Sequence, residues 1–306
     1  MDAWPALDYA QWQDTAAGLQ LRLQIAGKVR LKKSPWLNHS WHATFYVCAR
    51  GLTSSPIPDG QREFEIAFDL VDQNVIIQVC GGDRRTLALQ PQSIAAFYAD
   101  FMQALDELGI AVRIYPVPNE FPNPIRFPDD RASRPYDADA VHRFWRALVE
   151  VDRVLKQFRA GFTGKASPVH LFWGSFDMAV TRFSGRPAPR HPGGVPGLPD
   201  AVTREAYSHE VSSAGFWPGD ARYPHAAFYS YAYPTPAGFK DQKVQPADAS
   251  FADQLGEFLL PYDAVRRAPD PDAALLAFLQ SAYEAAANLA HWDRRALERL
   301  PVPPKE

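Results

Sequence analysis

The pattern of apolar and polar positions predicts that each half of the chain opens with a helix. Helix-forming Ala, Leu, Gln and Arg dominate residues 9–32. In the second half, apolar residues recur every three or four positions and so form one helical stripe: Phe144, Leu148, Val151, Leu155, Phe158 and Phe162. Ser34-Pro35 and Ser167-Pro168 end the two helices, because the residue before a proline is pushed toward extended geometry.

Short runs rich in β-branched and aromatic residues follow each helix and predict strands. In the first half the strand runs are 41–49, 63–70, 74–80, 86–89 and 111–115, and a helix runs from Ser93 to Leu108. In the second half the strand runs are 170–183, 208–217, 226–233 and 257–262, and a long helix covers 273–290. Gly, Pro, Asn and Asp separate most of these runs, which is typical of turns between strands.

The two halves share the same order of elements, and this predicts an internal duplication. Pairs of residues also recur at equal separations: Trp12 and Ser34 with Trp145 and Ser167, and Trp41 and Arg50 with Trp173 and Arg182. We therefore predict an α+β fold of two similar α-β-β-β-β-α units with antiparallel sheets, packed as a pseudo-twofold pair. The units cover residues 1–115 and 138–306, and a proline-rich connector, 116–137, joins them. A chance match between two α+β domains is the alternative.

This arrangement also predicts where a site lies. An antiparallel sheet that packs under two helices leaves its other face to be covered. Two such units can cover each other's open faces, and a pocket is then expected at the seam between them. The glycine- and proline-rich segment 191–199 is expected to form a loop or lid.

Composition narrows the classes of function. The chain has 306 residues and a formal net charge of -3, which argues against a broadly basic nucleic-acid binder. No apolar run reaches the roughly 20 residues that cross a bilayer, and residues 1–5 lack the features of a signal peptide. The only cysteines, Cys48 and Cys80, are expected to be buried and reduced, which favours a cytoplasmic protein.

The first candidate cluster is Asn38-His39-Ser40-Trp41-His42, at the start of a predicted strand. In a regular strand His39 and His42 point to opposite faces, which disfavours a metal site made by both. A bulge at the strand start would remove that objection. The alternative is a pair of structural histidines, one bonded to the backbone and one exposed.

The second candidate cluster covers residues 168–177, where Trp173 and Asp177 share one face of a predicted strand. An aspartate among Trp, Phe and Met needs a hydrogen-bonding or cationic partner if it is buried. Arg182 and Arg50 are the candidate partners. The alternative is a structural Asp–Arg bond that holds the two repeats in register.

The third candidate cluster covers residues 207–219 and the strand that follows. Alternation assigns these residues to shared faces: His209, Ser213 and Trp217 to one, Glu210 to the other, and Tyr229, Tyr231 and Tyr233 together on the next strand. Gly215 within a strand indicates the close approach of a ligand or of another backbone. The alternative is an aromatic-lined core in which the tyrosine hydroxyls are satisfied.

Two hypotheses of different classes follow. The first is a small-molecule enzyme of hydrolase, lyase or isomerase type at the seam, because histidine and carboxylate side chains can act as acid, base or orienting group. Its catalytic candidates are His209, Glu210, His39 and Asp177. Its substrate-binding candidates are Trp41, Trp173, Trp217, Ser213, Tyr229, Tyr231, Arg50 and Arg182. The second hypothesis is a non-catalytic carrier or sensor that uses the same aromatic pocket.

The enzyme hypothesis leaves room for one divalent metal ion. Its ligands would be His39, His209 and Glu210, or His42 in place of one of them. The expected partner is a small molecule, with no nucleic acid and no membrane, and the chain is expected to be a monomer or a homodimer.

Three blocks of sequence, at residues 38–42, 172–177 and 208–219, together resemble a bacterial family of about this length whose function is unknown. The likeness extends over nearly the whole chain. It implies a stand-alone bacterial protein, and it carries no activity, cofactor or catalytic residue over to this chain.

Overall fold

The computed structural model describes residues 3–299, and the predicted α+β class is confirmed by its helices and antiparallel sheets. The outermost residues of the predicted units, 1–2 and 300–306, lie outside the described part. Within that part, no helix is both long enough and apolar enough to cross a membrane.

The first half consists of a long helix, an antiparallel sheet and a second helix. Its elements are α1 (Tyr9–Lys33), a 3-10 segment (Asn38–Ala43), β1 (Tyr46–Cys48), β2 (Gly51–Thr53), β3 (Ile57–Asp59), β4 (Arg62–Asp69), β5 (Asn74–Val79), β6 (Arg84–Ala88), β7 (Gln92–Ser93) and α2 (Ile94–Glu107). The sheet order is β1-β2-β4-β5-β6, with β3 also paired to β4. The connector adds β8 (Ser133–Arg134), which pairs with β7.

The second half repeats that order with a longer insertion. Its elements are α3 (Ala138–Ala160), β9 (His170–Phe172), β10 (Asp177–Pro187), α4 (Asp200–Ala206), β11 (His209–Trp217), β12 (Ala227–Tyr233), β13 (Ser250–Ala252), β14 (Glu257–Pro261), α5 (Tyr262–Arg266), α6 (Pro271–Leu289) and α7 (Arg294–Leu297). The sheet order is β13-β14-β12-β11-β10-β9. The predicted strand at 111–115 is wrong, because this segment has no regular structure.

Local sequence explains where the long helices begin. The side chains of Asp8, Asp137 and Asp270 each accept a hydrogen bond from a backbone N–H in the first turn of α1, α3 and α6. The predicted apolar stripe of α3 is confirmed, since all its members within the helix are buried. Helix α1 is different, because every residue from 21 to 30 is buried, including charged ones.

The two sheets meet edge to edge. Phe45, just before β1, and Leu171 of β9 form an antiparallel bridge, with each backbone N–H donating to the other residue's carbonyl oxygen at 3.0 and 2.8 Å. The two sheets are therefore joined at their edges, whereas we predicted that they pack face to face. The second sheet has one face turned away from α3 and α6, which we name the outer face. Three segments lie against this face: 116–124, 188–207 and 38–43.

The predicted residue register between the halves is wrong. Trp41 lies in the 3-10 segment before β1, whereas Trp173 lies in the turn after β9. Arg50 lies in the exposed turn between β1 and β2, whereas Arg182 lies in the middle of β10 and is buried. The order of elements is shared by the halves, but these pairs are not at equivalent positions.

Both cysteines are free thiols, as predicted. The expectation that they are buried is wrong, because Cys80 is exposed and Cys48 is only partly buried. Cys80 follows β5 in the turn that leads to β6, and Gly81 and Gly82 come directly after it.

Gly27 of α1 receives the indole of Trp173, and a Cβ at this position would overlap the indole ring. We predict that Gly27→Ala lowers the free energy of unfolding by roughly 1–3 kcal/mol, because overpacking outweighs the gain in helix propensity. Urea unfolding measures the change. Gly18→Ala in the same helix is the control, since its nearest neighbour is the far end of Arg22 at 3.0 Å. Equal stability of the two variants would contradict the prediction.

Candidate functional site

The outer face of the second sheet carries a layer of polar side chains. Strand alternation and the observed register place Thr181 of β10, Ser213 of β11 and Tyr231 of β12 side by side on this face. The hydroxyls of Thr181 and Ser213 are hydrogen bonded at 2.9 Å. Tyr231 and Tyr207 are hydrogen bonded through their hydroxyls at 3.0 Å. The layer therefore continues from the sheet into the segment that covers it.

Asp177 is the carboxylate at the end of this layer, and it is 8% exposed. It accepts hydrogen bonds from the hydroxyls of Ser175 and Tyr229. Burial raises the pKa of Asp177, and these two donors oppose the rise without supplying a positive charge. The predicted ion pair with Arg182 or Arg50 is wrong, because hydroxyl groups take that role.

Gly215 makes the bond between Tyr229 and Asp177 geometrically feasible. The register places Gly215 between Ala179 of β10 and Tyr229 of β12. A Cβ at Gly215 would lie 2.5 Å from the Tyr229 hydroxyl oxygen. The phenol of Tyr229 therefore crosses β11 in the space that a side chain would fill. The sequence predicted the approach of a ligand or of another backbone at this glycine, and the structure places there a tyrosine side chain of the same sheet, together with the Met178 carbonyl oxygen of β10.

Two glutamates lie near Asp177, and we name these three residues the carboxyl cluster. Glu257 begins β14, and Glu120 belongs to the connector. Burial, and then the negative charge of Asp177, raises the pKa of Glu120 to about 7 and that of Glu257 to about 7. Among residues 3–299, none of the ion pairs involves a member of the cluster. The cluster therefore holds carboxyl groups that titrate near neutral pH.

Aromatic rings and the glycine-rich loop 191–199 lie around the carboxyl cluster. His191 stacks on Tyr207, with ring centroids 5.0 Å apart, and both rings contact Tyr233. Tyr207 in turn lies within range of the charges of Asp177 and Glu120, which raise its pKa after the larger effect of burial. The segment predicted as a loop or lid is a loop in this structure.

The comparisons with known proteins give a family and no activity. A family model described as a family of unknown function, DUF5996, matches residues 4–299. The chain belongs to this family. The predicted resemblance to an uncharacterised family of this length is therefore confirmed. Neither the curated proteins nor the solved structures contain a match to the chain.

In this DUF5996 chain the predicted catalytic residue His39 lies outside the polar layer. Its Nδ1 lies 2.8 Å from the carbonyl oxygen of Ala206, and its Nε2 lies 3.1 Å from the Lys165 Nζ. Its ring contacts Trp41 and Phe183. The two-face argument for His39 and His42 is wrong, because the segment is a 3-10 turn with φ of +59° at His39 rather than a strand.

The other predicted metal ligands are also held by protein groups. His42 Nδ1 lies 3.1 Å from both the backbone N and O of Leu37, and His209 Nδ1 lies 3.1 Å from the Ser208 hydroxyl. Glu210 forms an ion pair with Arg186 at 2.7 Å. Over residues 3–299, no group of three or more His, Cys, Asp or Glu side chains is placed to hold a metal ion. The predicted ligand set of His39, His42, His209 and Glu210 therefore does not converge.

The three predicted substrate-binding indoles have different neighbours. Trp173 donates its Nε1–H to the Ala43 carbonyl oxygen at 2.6 Å, and Trp217 stacks on Tyr223. Trp41 packs on Phe183 and under the ammonium of Lys165. Each indole has a structural contact that accounts for its position.

The two predicted substrate-binding arginines are also structural. The Arg182 guanidinium faces the helices, where it donates to the Phe158 carbonyl oxygen and lies 4.4 Å from the Tyr283 ring centroid. Arg50 pairs with Asp69 and Asp72 at 2.6 Å each. Of the predicted site residues, the polar layer brings together Asp177, Ser213, Tyr229 and Tyr231.

The sequence reasoning missed Glu120 and Glu257, and it gave no role to Tyr207 within the third candidate cluster. Glu120 lies in a proline-rich segment that gave no strand or helix pattern, and Glu257 looks like an ordinary polar residue at the start of a strand. The sequence feature that points to them is the row of three tyrosines on one face of β12. Buried hydroxyl groups need hydrogen-bonding partners, so polar residues are expected on the neighbouring strands.

We predict that the carboxyl cluster makes stability fall as pH rises from about 4.5 to about 7. Folding raises the pKa of these carboxyl groups, so between pH 4.5 and pH 7 the native state keeps protons that the unfolded chain has released. The free energy of unfolding therefore decreases as the pH rises through this range. In the double variant Glu120→Gln, Glu257→Gln, the decrease in the free energy of unfolding over this range should be smaller by on the order of 2 kcal/mol. Urea unfolding at pH 5 and pH 8 measures it.

Glu63→Gln on β4 is the matched control, because Glu63 is an exposed glutamate of the other sheet. It should leave the pH dependence as in the wild type. A double variant with the wild-type slope would mean that the two glutamates are not protonated in the native protein at neutral pH.

Proposed function

We propose that this family member is a small-molecule enzyme and that its carboxyl cluster transfers protons on a positively charged substrate. The observation that carries the proposal is the grouping of buried Asp177 with the half-buried Glu120 and Glu257, with no basic side chain among the causes that set their pKa values. Burying carboxyl groups without a cation is costly, and groups with perturbed pKa values concentrate at functional sites.

The pKa values of the cluster suit acid–base chemistry. With Glu120 and Glu257 both near 7, one carboxyl can hold a proton while another has released it. A general acid and a general base are most effective when their pKa values lie near the working pH. This supports a reaction of hydrolase, lyase or isomerase type, in which the two glutamates exchange the roles of acid and base and Asp177 is the carboxyl group beside them that pairs with a cationic substrate.

The surroundings of the cluster favour a cationic substrate. An ammonium or guanidinium group would offset the charge of the carboxylates and would form charge-assisted hydrogen bonds with them. The hydroxyl oxygens of Tyr207 and Tyr231, which are hydrogen bonded to each other, add neutral acceptors for the N–H groups of such a cation. An anionic substrate would meet repulsion from every member of the cluster.

A non-catalytic carrier or sensor is the second candidate, and the covering of the site favours it. Asn119 donates to the Gly197 carbonyl oxygen at 2.8 Å, which joins the connector to the glycine-rich loop beside Glu120. A binding protein that encloses its ligand needs such a cover, whereas an enzyme must also release its product through it.

We also propose that the two halves form a pseudo-twofold pair with their sheets arranged edge to edge. Reciprocal hydrogen bonds between Phe45 and Leu171 support it, because two antiparallel strands are related by a local twofold axis. The shared order of helix, antiparallel sheet and helix supports it as well. The site then lies beside this junction, where α1 of the first half packs against Trp173.

A screen of small primary amines and guanidinium compounds against neutral and carboxylate analogues tests the proposed substrate class. We predict that cationic compounds raise the melting temperature of the wild type and that Asp177→Asn lowers their affinity at least tenfold, because it removes a carboxyl group that would pair with the cation. Calorimetric titration measures the affinity. Product analysis by mass spectrometry after incubation separates turnover from binding alone.

Glu210→Gln is the control, since Glu210 is a carboxylate on the neighbouring strand that pairs with Arg186. It should bind the cations as the wild type does. Preference for anionic compounds, or equal losses in the two variants, would overturn the proposal.

A further inference from the structure

Glu120 has a backbone conformation that is unfavourable for a residue other than glycine. Its φ of +50° lies in the left-handed region, which costs a non-glycine residue roughly 1–2 kcal/mol. Such a conformation persists only where the surrounding contacts over-determine it, and it is enriched at functional sites. The contacts of the preceding residue, Asn119, supply that restraint.

Helix α1 holds Asn119 with two buried side chains. The Gln24 amide donates to the Asn119 carbonyl oxygen at 2.9 Å and accepts from the Asn119 N–H at 2.7 Å. The Lys28 Nζ donates to Asn119 Oδ1. Gln24 is 0% exposed and Lys28 is 5% exposed, so both anchors are fixed by the packing of the helix. A residue held by its backbone and its side chain at once has little freedom to rotate.

Two glycines confine Glu120 on its other side, with Gly174 against its carboxylate and Gly197 against its backbone. A Cβ at Gly174 would overlap Glu120 Oε1, and a Cβ at Gly197 would lie 2.5 Å from the Glu120 backbone N. Gly174 lies three residues before Asp177, and its carbonyl oxygen is held by Gln20 at 2.6 Å. The same helix therefore fixes both sides of the gap between Glu120 and Asp177.

We propose that Asn119 is the positioning residue of the carboxyl cluster: held by Gln24 and Lys28, it sets where the Glu120 carboxyl lies relative to Asp177, and through Gly197 it fastens the loop that covers them. This assignment rests on the proposed function, in which Glu120 acts as acid or base. Opening the loop breaks one bond of Asn119 and leaves its bonds to α1 in place, so Glu120 stays in position when the cover moves.

The test is the pKa of Glu120, measured by carbon-13 NMR on protein labelled at the glutamate carboxyl groups and assigned with Glu120→Gln. The titratable groups that act on or respond to Glu120 are Asp177 and Tyr207. In Asn119→Ala the carboxyl is free to turn toward solvent, and its pKa should fall by at least one unit toward the ordinary glutamate value. Gln24→Met, which removes both backbone anchors, should lower it as well.

Asn123→Ala is the matched control, because Asn123 lies in the same connector, is exposed and also has a positive φ, of +48°. It should leave the Glu120 pKa unchanged even though it strains the backbone. Hydrogen exchange at residues 193–198 should become at least tenfold faster in Asn119→Ala and not in the control. An unchanged pKa in Asn119→Ala, or equal shifts in both variants, would overturn the assignment.

These measurements need no ligand, so they separate the two proposals. If the Asn119 variant lowers the Glu120 pKa and the wild type binds no cation, the positioning role holds and the proposed function fails. If cations bind and the pKa does not move, the proposed function holds and the positioning role fails.

Discussion

One polar stripe on a buried helix sets the geometry of the candidate site. Gln20, Gln24, Gly27 and Lys28 of α1 follow each other at intervals of four, three and one, which places them along one side of the helix. They hold the Gly174 carbonyl, the Asn119 backbone, the Trp173 indole and the Asn119 side chain, respectively. Because buried amides and ammonium groups are costly unless satisfied, each fixes its partner firmly. The turn before Asp177 and the connector before Glu120 are therefore held by a single rigid element.

The carboxyl cluster is unfavourable for folding and is compensated only in part. Tyr229 and Ser175 satisfy the oxygens of Asp177, but a hydroxyl cannot neutralise a carboxylate. Burial, and then the charge of Asp177, raises the pKa values of its neighbours Glu120 and Glu257. A sequence selected for stability alone could replace these glutamates with glutamine at little structural cost. The glutamates have a chemical use if a ligand brings the missing positive charge. Binding of that ligand would relieve the repulsion among the carboxylates, and this relief would add to its affinity.

The sequence predicts much of the fold and only part of the site. Periodicity identified α3, and the runs that became β4, β5, β11, β12 and β14 were located correctly, because these elements are long or alternate regularly. The segment 38–43 was misjudged because left-handed residues at His39 and Ser40 curl it into a 3-10 turn, which residue types do not reveal. Asp177, Ser213, Tyr229 and Tyr231 were found because strand alternation groups them. Glu120 was not, because only tertiary contacts with α1 bring an irregular connector onto the sheet.

The two halves differ most where the candidate site lies. In the first sheet, β4 and β5 alternate between buried and more exposed residues, as expected for a sheet with one face packed on helices. In the second sheet, β10, β11 and β12 are buried on both faces along most of their length. The cover comes from the connector and from the insertion between β10 and β11, which contains α4 and the glycine-rich loop. A covered sheet face normally fills with apolar side chains, and here hydroxyls and carboxyl groups take up part of it. The insertion therefore encloses a polar layer that packing alone does not require. In the proposed function the second sheet and the connector supply the carboxyl cluster, and the first half positions it through α1.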